Sequence, residues 1–272
     1  MLLTKPNVLM TRNLLTCLLL GISFSLSSQI TVDNSYTLDE YVNDILLGSG
    51  VTAFNVEYTG SLDQLGFLEG AEGTLFPINE GLILSTSTAT NLAAEDCIED
   101  NPPFEELVSG NADLLDIANS VPGMINENFS VISVNDLCIL EFDFIATGDT
   151  VKFNYAFGSD EYIDEFGTDY VNTQYNDIFA FFLSGPGISG PYDNDAINIA
   201  QVPGIEPPLP ITISSVNQFL NTEFFIGNST NVDICQNGFT VSIEASHPVT
   251  CGETYHIRLA IGDGSDGALE SV

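Results

Sequence analysis

Alternation dominates the second half of the chain. In "CILEFDFIA" Leu140, Phe142 and Phe144 fall on one face of an extended strand, with Glu141 and Asp143 on the other. In "TVKFNYAF" Val151, Phe153, Tyr155 and Phe157 form the same kind of stripe. Successive side chains of a strand point to opposite faces, so this period of two predicts strands with one buried face. Thr147, Gly148 and Asp149 separate the two runs, a spacing that predicts a hairpin. "DIFAFFLSG" is apolar at both parities and predicts a central strand. "GFTVSIEAS" and "TYHIRLAIGD" predict further strands, the latter with Tyr255, Ile257 and Leu259 inward and Thr254, His256 and Arg258 outward. Nearer the N-terminus, "VTAFNVEYTG" and "GLILST" read as short strands between Gly-rich turns.

Helical spacing is confined to two places. "SYTLDEYVNDILLGSG" predicts one helix: Thr37 and Glu40 have capping-box spacing, Leu38, Tyr41, Val42 and Ile45 share a face, and Gly48 suits a left-handed C-terminal residue. "FEELVSGNADLLDIAN" predicts a second short helix, or two turns, between the Pro102-Pro103 break and Pro122. Residues 203–210, "PGIEPPLP", predict a stiff extended loop. Together these elements predict an all-β dominated fold: an antiparallel β-sandwich, jelly-roll or lectin-like, with one N-terminal helix and one or two short helices. A single domain over residues 29–272 is expected, with strand propensity still rising at "GALESV", which predicts truncation at the C-terminus.

Residues 1–28 stand apart from this pattern. Lys5 and Arg12 precede an apolar run from Leu14 to Ile22 and then small Ser residues, which predicts a secretory signal peptide. The run is too short for a bilayer span, and no later segment reaches the roughly 20 apolar residues that one needs. Cys17, preceded by Thr16 and followed by most of the apolar run, does not read as a lipidation site.

Charge changes the picture most. The formal net charge is −34, and beyond the leader only Lys152 and Arg258 face 38 acids. Such a surface repels nucleic acid and anionic lipid, so neither is expected as a partner. A hydrophobic fraction of 44% argues against disorder. Protein cations cannot neutralise these carboxylates, so water or metal ions must. Cys97, Cys138, Cys235 and Cys251 remain in the exported part, an even number that predicts two disulfides. Three pairings are open; nearest-neighbour bonding, Cys97 with Cys138 and Cys235 with Cys251, is the preferred expectation.

Catalytic chemistry finds little support. No G-x-S-x-G elbow, H-E-x-x-H, zinc-spaced Cys pair or phosphate-cradling Gly loop is present. His256 reads as a surface strand residue, and His247, beside Pro248, has no evident catalytic partner. Paired acids could serve a glycosidase, but no pair is singled out. Three oxygen-rich loops remain: "GSDEYIDE", "QYNDI" and "GDGSDGALE", each beside a predicted core strand. Ca²⁺ takes six to eight oxygen ligands from such residues. Asp160, Glu161, Asp177, Asp263 and Asp266, with Asn176 as a weaker donor, are the candidate metal ligands, although their spacing fits neither an EF-hand nor a repeated β-roll.

The same segments carry a family likeness. "VKFNYAFGSDEY", "NDIFAFFLSGPG", "INIAQVPG", "PITISSVN" and "CGETYHIRLAIGDGSDGALES" resemble, in order, the motifs of the choice-of-anchor L domain, as do "VNDILLGSGVTAFNVEYTG", "GLILSTSTA" and "GNADL" before them. The resemblance runs from about Thr37 to Val272. It implies an exported, β-rich bacterial surface module, Bacteroidetes-like, anchored by devices that differ between members. It brings no established catalytic residue or ligand. The expected function is a non-enzymatic, secreted or cell-surface adhesion module stabilised by Ca²⁺, with an extracellular protein or glycan as partner. The alternatives are a carbohydrate-binding module and, further off, a secreted glycoside hydrolase.

Overall fold

A computed structural model describes residues 30–48, 50–93, 97 and 108–272. Residues 1–28, where a signal peptide is expected, and Pro102-Pro103 lie outside the described residues. The first strand is β1 (Thr31–Asp33), followed by α1 (Leu38–Glu40). Both halves of the predicted capping box form: the Thr37 amide donates to Glu40 Oε2 at 2.8 Å, and the Glu40 amide to Thr37 Oγ1 at 3.4 Å. The helix then widens into a π-turn over Tyr41–Leu46 that buries Tyr41 and Val42. It ends at Leu47 in extended conformation, not at a left-handed Gly48.

Twelve more strands follow: β2 (Ala53–Thr59), β3 (Leu65–Glu69), β4 (Gly81–Leu84), β5 (Val134–Ile145), β6 (Thr150–Tyr155), β7 (Gly158–Ser159), β8 (Ile178–Ser184), β9 (Ile197–Asn198), β10 (Phe225–Gly227), β11 (Gly238–Thr240), β12 (Ile243–Pro248) and β13 (Thr254–Gly264). All pairings are antiparallel, giving a five-stranded sheet β2-β5-β13-β8-β9 and smaller sheets β1-β3-β4, β12-β6 and β10-β11-β7. This is the predicted all-β, sandwich-like architecture.

The five-stranded sheet is buried along one face, and β8 with the adjoining parts of β5 and β13 is buried on both. Leu140, Phe142, Phe144, Phe179, Phe181, Tyr255, Ile257 and Leu259 form the main core with Tyr155, Ile243 and Ala245 of the β12-β6 layer. On the other face Ile139, Ala180, Phe182 and Ala260 meet Leu114, Ile117 and Ala118 of α2 (Ala112–Ile125). Sandwiching between layers explains why β8 reads apolar at both parities, since burial of each apolar side chain is worth about 1.5–3 kcal/mol.

Three expectations are corrected. β5 and β6 do not form a hairpin: β5 is flanked by β2 and β13, while β6 pairs with β12. Both edges of β5 are occupied, so the turn at residues 147–149 carries the chain from one layer to the other. The second helix runs through Pro122 and stops at Asn126, in the left-handed region with φ 60°. Proline lacks the amide that would bond the carbonyl four residues back; the freed Ala118 carbonyl instead accepts from Asn176 Nδ2 at 3.4 Å. The disulfide joins Cys97 to Cys235 across 138 residues, with Cα atoms 5.2 Å apart. Cys138 is a buried thiol on β5 that accepts a hydrogen bond from Tyr58 at 3.4 Å, and Cys251 is an exposed thiol in the turn before β13. Those two thiols lie in different environments from the half-cystines, so neither neighbour pairing forms.

Candidate functional site

The three acidic loops converge. Glu161, Asp177 and Asp263 are 1%, 0% and 2% exposed, at one end of the main core. Each continues the inward alternation of its segment: Tyr155, Phe157, Ser159 and Glu161; Asp177, Phe179 and Phe181; Ile257, Leu259, Ile261 and Asp263. Between Ile261 and Asp263 the register shifts, the extra residue lying on β5, where Asp136 has φ 51° beside this spot. Gly264 is required there. A Cβ on it would stand 2.8 Å from the backbone of Asn176, which presses against β13.

Hydroxyls and one amide hold the carboxylates. The Ser159 hydroxyl donates to Glu161 Oε2 in a short bond and lies 3.5 Å from Asp177 Oδ2. Asp177 Oδ2 also accepts from the Ser271 hydroxyl at 2.6 Å, and Asp177 Oδ1 from the Gly264 amide at 2.9 Å. Thr86 and Ser271 exchange bonds beside them, the Ser271 amide donating to Thr86 Oγ1 at 3.0 Å. Among the described residues three buried carboxylate oxygens, Glu161 Oε1, Asp263 Oδ1 and Asp266 Oδ1, have no hydrogen-bond partner.

No cation reaches this cluster from the described residues. Lys152 pairs with Glu244 at 3.0 Å in solvent, and Arg258 pairs with Asp113 under α2 while lying 4.3 Å from the Phe182 ring. Burial, and then the Asp177 charge, raises Glu161 and Asp263 well above the usual carboxylate range. Burial also raises Asp177, opposed by hydrogen bonds from Glu161, Ser271 and Gly264. At the rim, burial and neighbouring acids push Asp136 and Asp266 up to about 6.

The other candidates separate from this centre. Asp160 turns away from Glu161 into a groove of about 150 Å³ shared with Asp164, Asn237 and Glu270. There burial, and then the Glu270 charge, pushes it up to about 8. Asn176 is committed to the backbone: its Oδ1 accepts from the Ser214 amide at 3.1 Å, and its Nδ2 serves the carbonyl freed by Pro122. Asp136, Ser159 and Ser271 were not singled out by sequence. Ser159 was legible from its inward parity between Phe157 and Glu161; the other two had no local signal.

The donor set is all oxygen, which fits a hard cation such as Ca²⁺. Among the described residues, however, no three Asp, Glu, His or Cys side chains stand as close as the ligands of a formed metal centre. Burial raises Glu161, Asp177 and Asp263 alike, so the cluster without a cation favours protonated carboxyls over three charges.

Residues 29–272 match the family model of the Choice-of-anchor L domain. The chain belongs to that family. No curated protein and no solved structure matches it. A Choice-of-anchor L domain is an extracellular, surface-associated module and not a member of a known enzyme family. No helix among the described residues is long and apolar enough to cross a membrane.

Proposed function

We propose that this Choice-of-anchor L domain is a non-catalytic adhesion module outside the cell, and that Ca²⁺ locks the end of its sandwich by replacing protons among Glu161, Asp177 and Asp263. The supporting observation is that Glu161 Oε1 and Asp263 Oδ1, with Asp266 Oδ1 at the rim, are buried without a hydrogen-bond partner among the described residues. A buried carboxylate oxygen without a partner costs free energy that a cation can recover. Binding requires side-chain rotations that bring the Glu161 and Asp263 oxygens and those of Asp177 onto one ion, with the Ser159 and Ser271 hydroxyls as neutral donors. Asp266 and Asp136 at the rim would supply water-mediated contacts. Ca²⁺ so placed ties the turn after β7, the start of β8 and the end of β13 together, and stiffens the loops that a partner would meet.

The test is a thermal melt of the exported chain in EDTA and then in millimolar Ca²⁺. The melting temperature should rise with Ca²⁺ and fall again on chelation; a melt indifferent to both removes the ion from the proposal.

A further inference from the structure

A cavity of about 350 Å³ lies away from the carboxylates and meets two strands in an unusual way. Residues 80–84 and 152–156 line it consecutively. A cavity on the face of a sheet meets every second residue of a strand, whereas one running along the edge meets them all. The floor shows the first pattern: Phe179 and Phe181 of β8, with Leu259 of β13. The walls are therefore the edges of β4 and β6.

Neither edge is paired with another strand among the described residues. Among the described residues β4 is hydrogen-bonded only to β3, and β6 only to β12. The slot thus separates the outer sheets β1-β3-β4 and β12-β6, which cover the same five-stranded sheet. Tyr155 at its wall is 7% exposed, and its hydroxyl is buried without a hydrogen-bond partner. Unpaired strand edges are templates for another strand.

We propose that the slot accepts an extended peptide strand from a partner, inserted between β4 and β6 to join the two outer sheets into one layer. Alternate apolar side chains of the strand would rest on Phe179, Phe181 and Leu259, and a backbone group would satisfy the Tyr155 hydroxyl. Charge selects the partner. Lys152 and Arg258, the basic residues of the described chain, are both ion-paired, and Glu80 stands on the rim. A strand with basic flanks is attracted to this surface, while a second copy of the acidic chain is repelled. This names a partner class for the interaction module proposed above. It does not depend on the cation, and an indifferent EDTA melt leaves its test unaffected.

The probe is the peptide KKVTVTVKK, with a twin N-methylated at alternate backbone amides. Altering the peptide leaves the folding of the domain untouched. The unmodified peptide should bind the exported chain at sub-millimolar concentration and slow amide hydrogen exchange in both residues 81–84 and residues 151–155. The N-methylated twin should bind at least tenfold more weakly. Absence of binding at 1 mM, equal binding of the twin, or protection confined to one edge overturns the proposal. Slow exchange at both edges before peptide is added also overturns it, because the slot is then filled from within the chain.

Discussion

Replacing Glu161 by Gln tests the electrostatics of the buried cluster most directly. Glu161 and Asp177 approach the same Ser159 hydroxyl, and no protein cation stands near. Two carboxylates about 5 Å apart repel by roughly 3 kcal/mol at an effective dielectric constant of about 20. The substituted amide side chain keeps the shape and can donate to Asp177, so E161Q in EDTA at pH 8 should be more stable than the wild type. At about 2–4 °C per kcal/mol for a domain of this size, the gain is roughly 6–12 °C. With Ca²⁺ at about 100 times its dissociation constant the wild type should gain about 2.7 kcal/mol, roughly 5–11 °C, and E161Q much less. The pH dependence carries the sign. Glu161 and Asp263 are raised in the folded state, so the unfolded chain releases their protons first. Their contribution is complete below the unfolded values near pH 4 and is lost as pH rises through the folded ones. Asp136 and Asp266 at about 6, and Asp160 at about 8, act in the same direction. In EDTA the melting temperature should therefore fall between pH 5 and pH 8, while the increment from Ca²⁺ should grow. The assay is differential scanning calorimetry across that range. If E161Q is no more stable than the wild type in EDTA and the pH slope is flat, the carboxylates do not repel each other in the fold and the reasoning fails.

Other outcomes concern the scaffold. Arg258→Ala should cost about 3–5 kcal/mol in urea unfolding, because it leaves Asp113 buried without its partner, and Arg258→Met should recover part of that loss. Phe142, fully buried at the centre of the main core, should lose about 3–5 kcal/mol on truncation to Ala by the same assay. In protein lacking residues 1–28, Cys251 should react with a thiol reagent in the native state and Cys138 only after unfolding; a native reaction of both would contradict the burial of Cys138.

Much of the fold was legible because a strand buried on one face must alternate, and one buried on both faces cannot. "CILEFDFIA", "TVKFNYAF" and "DIFAFFLSG" all became strands of the expected kinds, and Thr37 and Glu40 formed their capping box. Pairing was not legible. A turn such as residues 147–149 can close a hairpin or cross between layers, and the choice depends on which neighbours occupy the flanking edges. Pro122 read as a break because its missing amide strands a carbonyl; only a residue 58 positions from Ala118 in the chain, Asn176, makes the continued helix acceptable. The nearest-neighbour disulfides failed for the same reason, since sequence proximity says nothing about which thiols meet.

The sequence by itself determined that this chain is anionic, nearly without cations, and built from strands with an inward stripe. It also determined that Glu161 and Asp263 lie in phase with those stripes, whereas Asp177 precedes a run with no stripe to be in phase with. Parity is local, fixed by the two-residue repeat of the backbone, so it can be read without coordinates. Tertiary structure alone decided that the three acids meet at one place, that Asp160 and Asn176 turn elsewhere, and that a slot lies between β4 and β6. Those are relations between distant segments, set by packing of layers that no single stretch of sequence encodes.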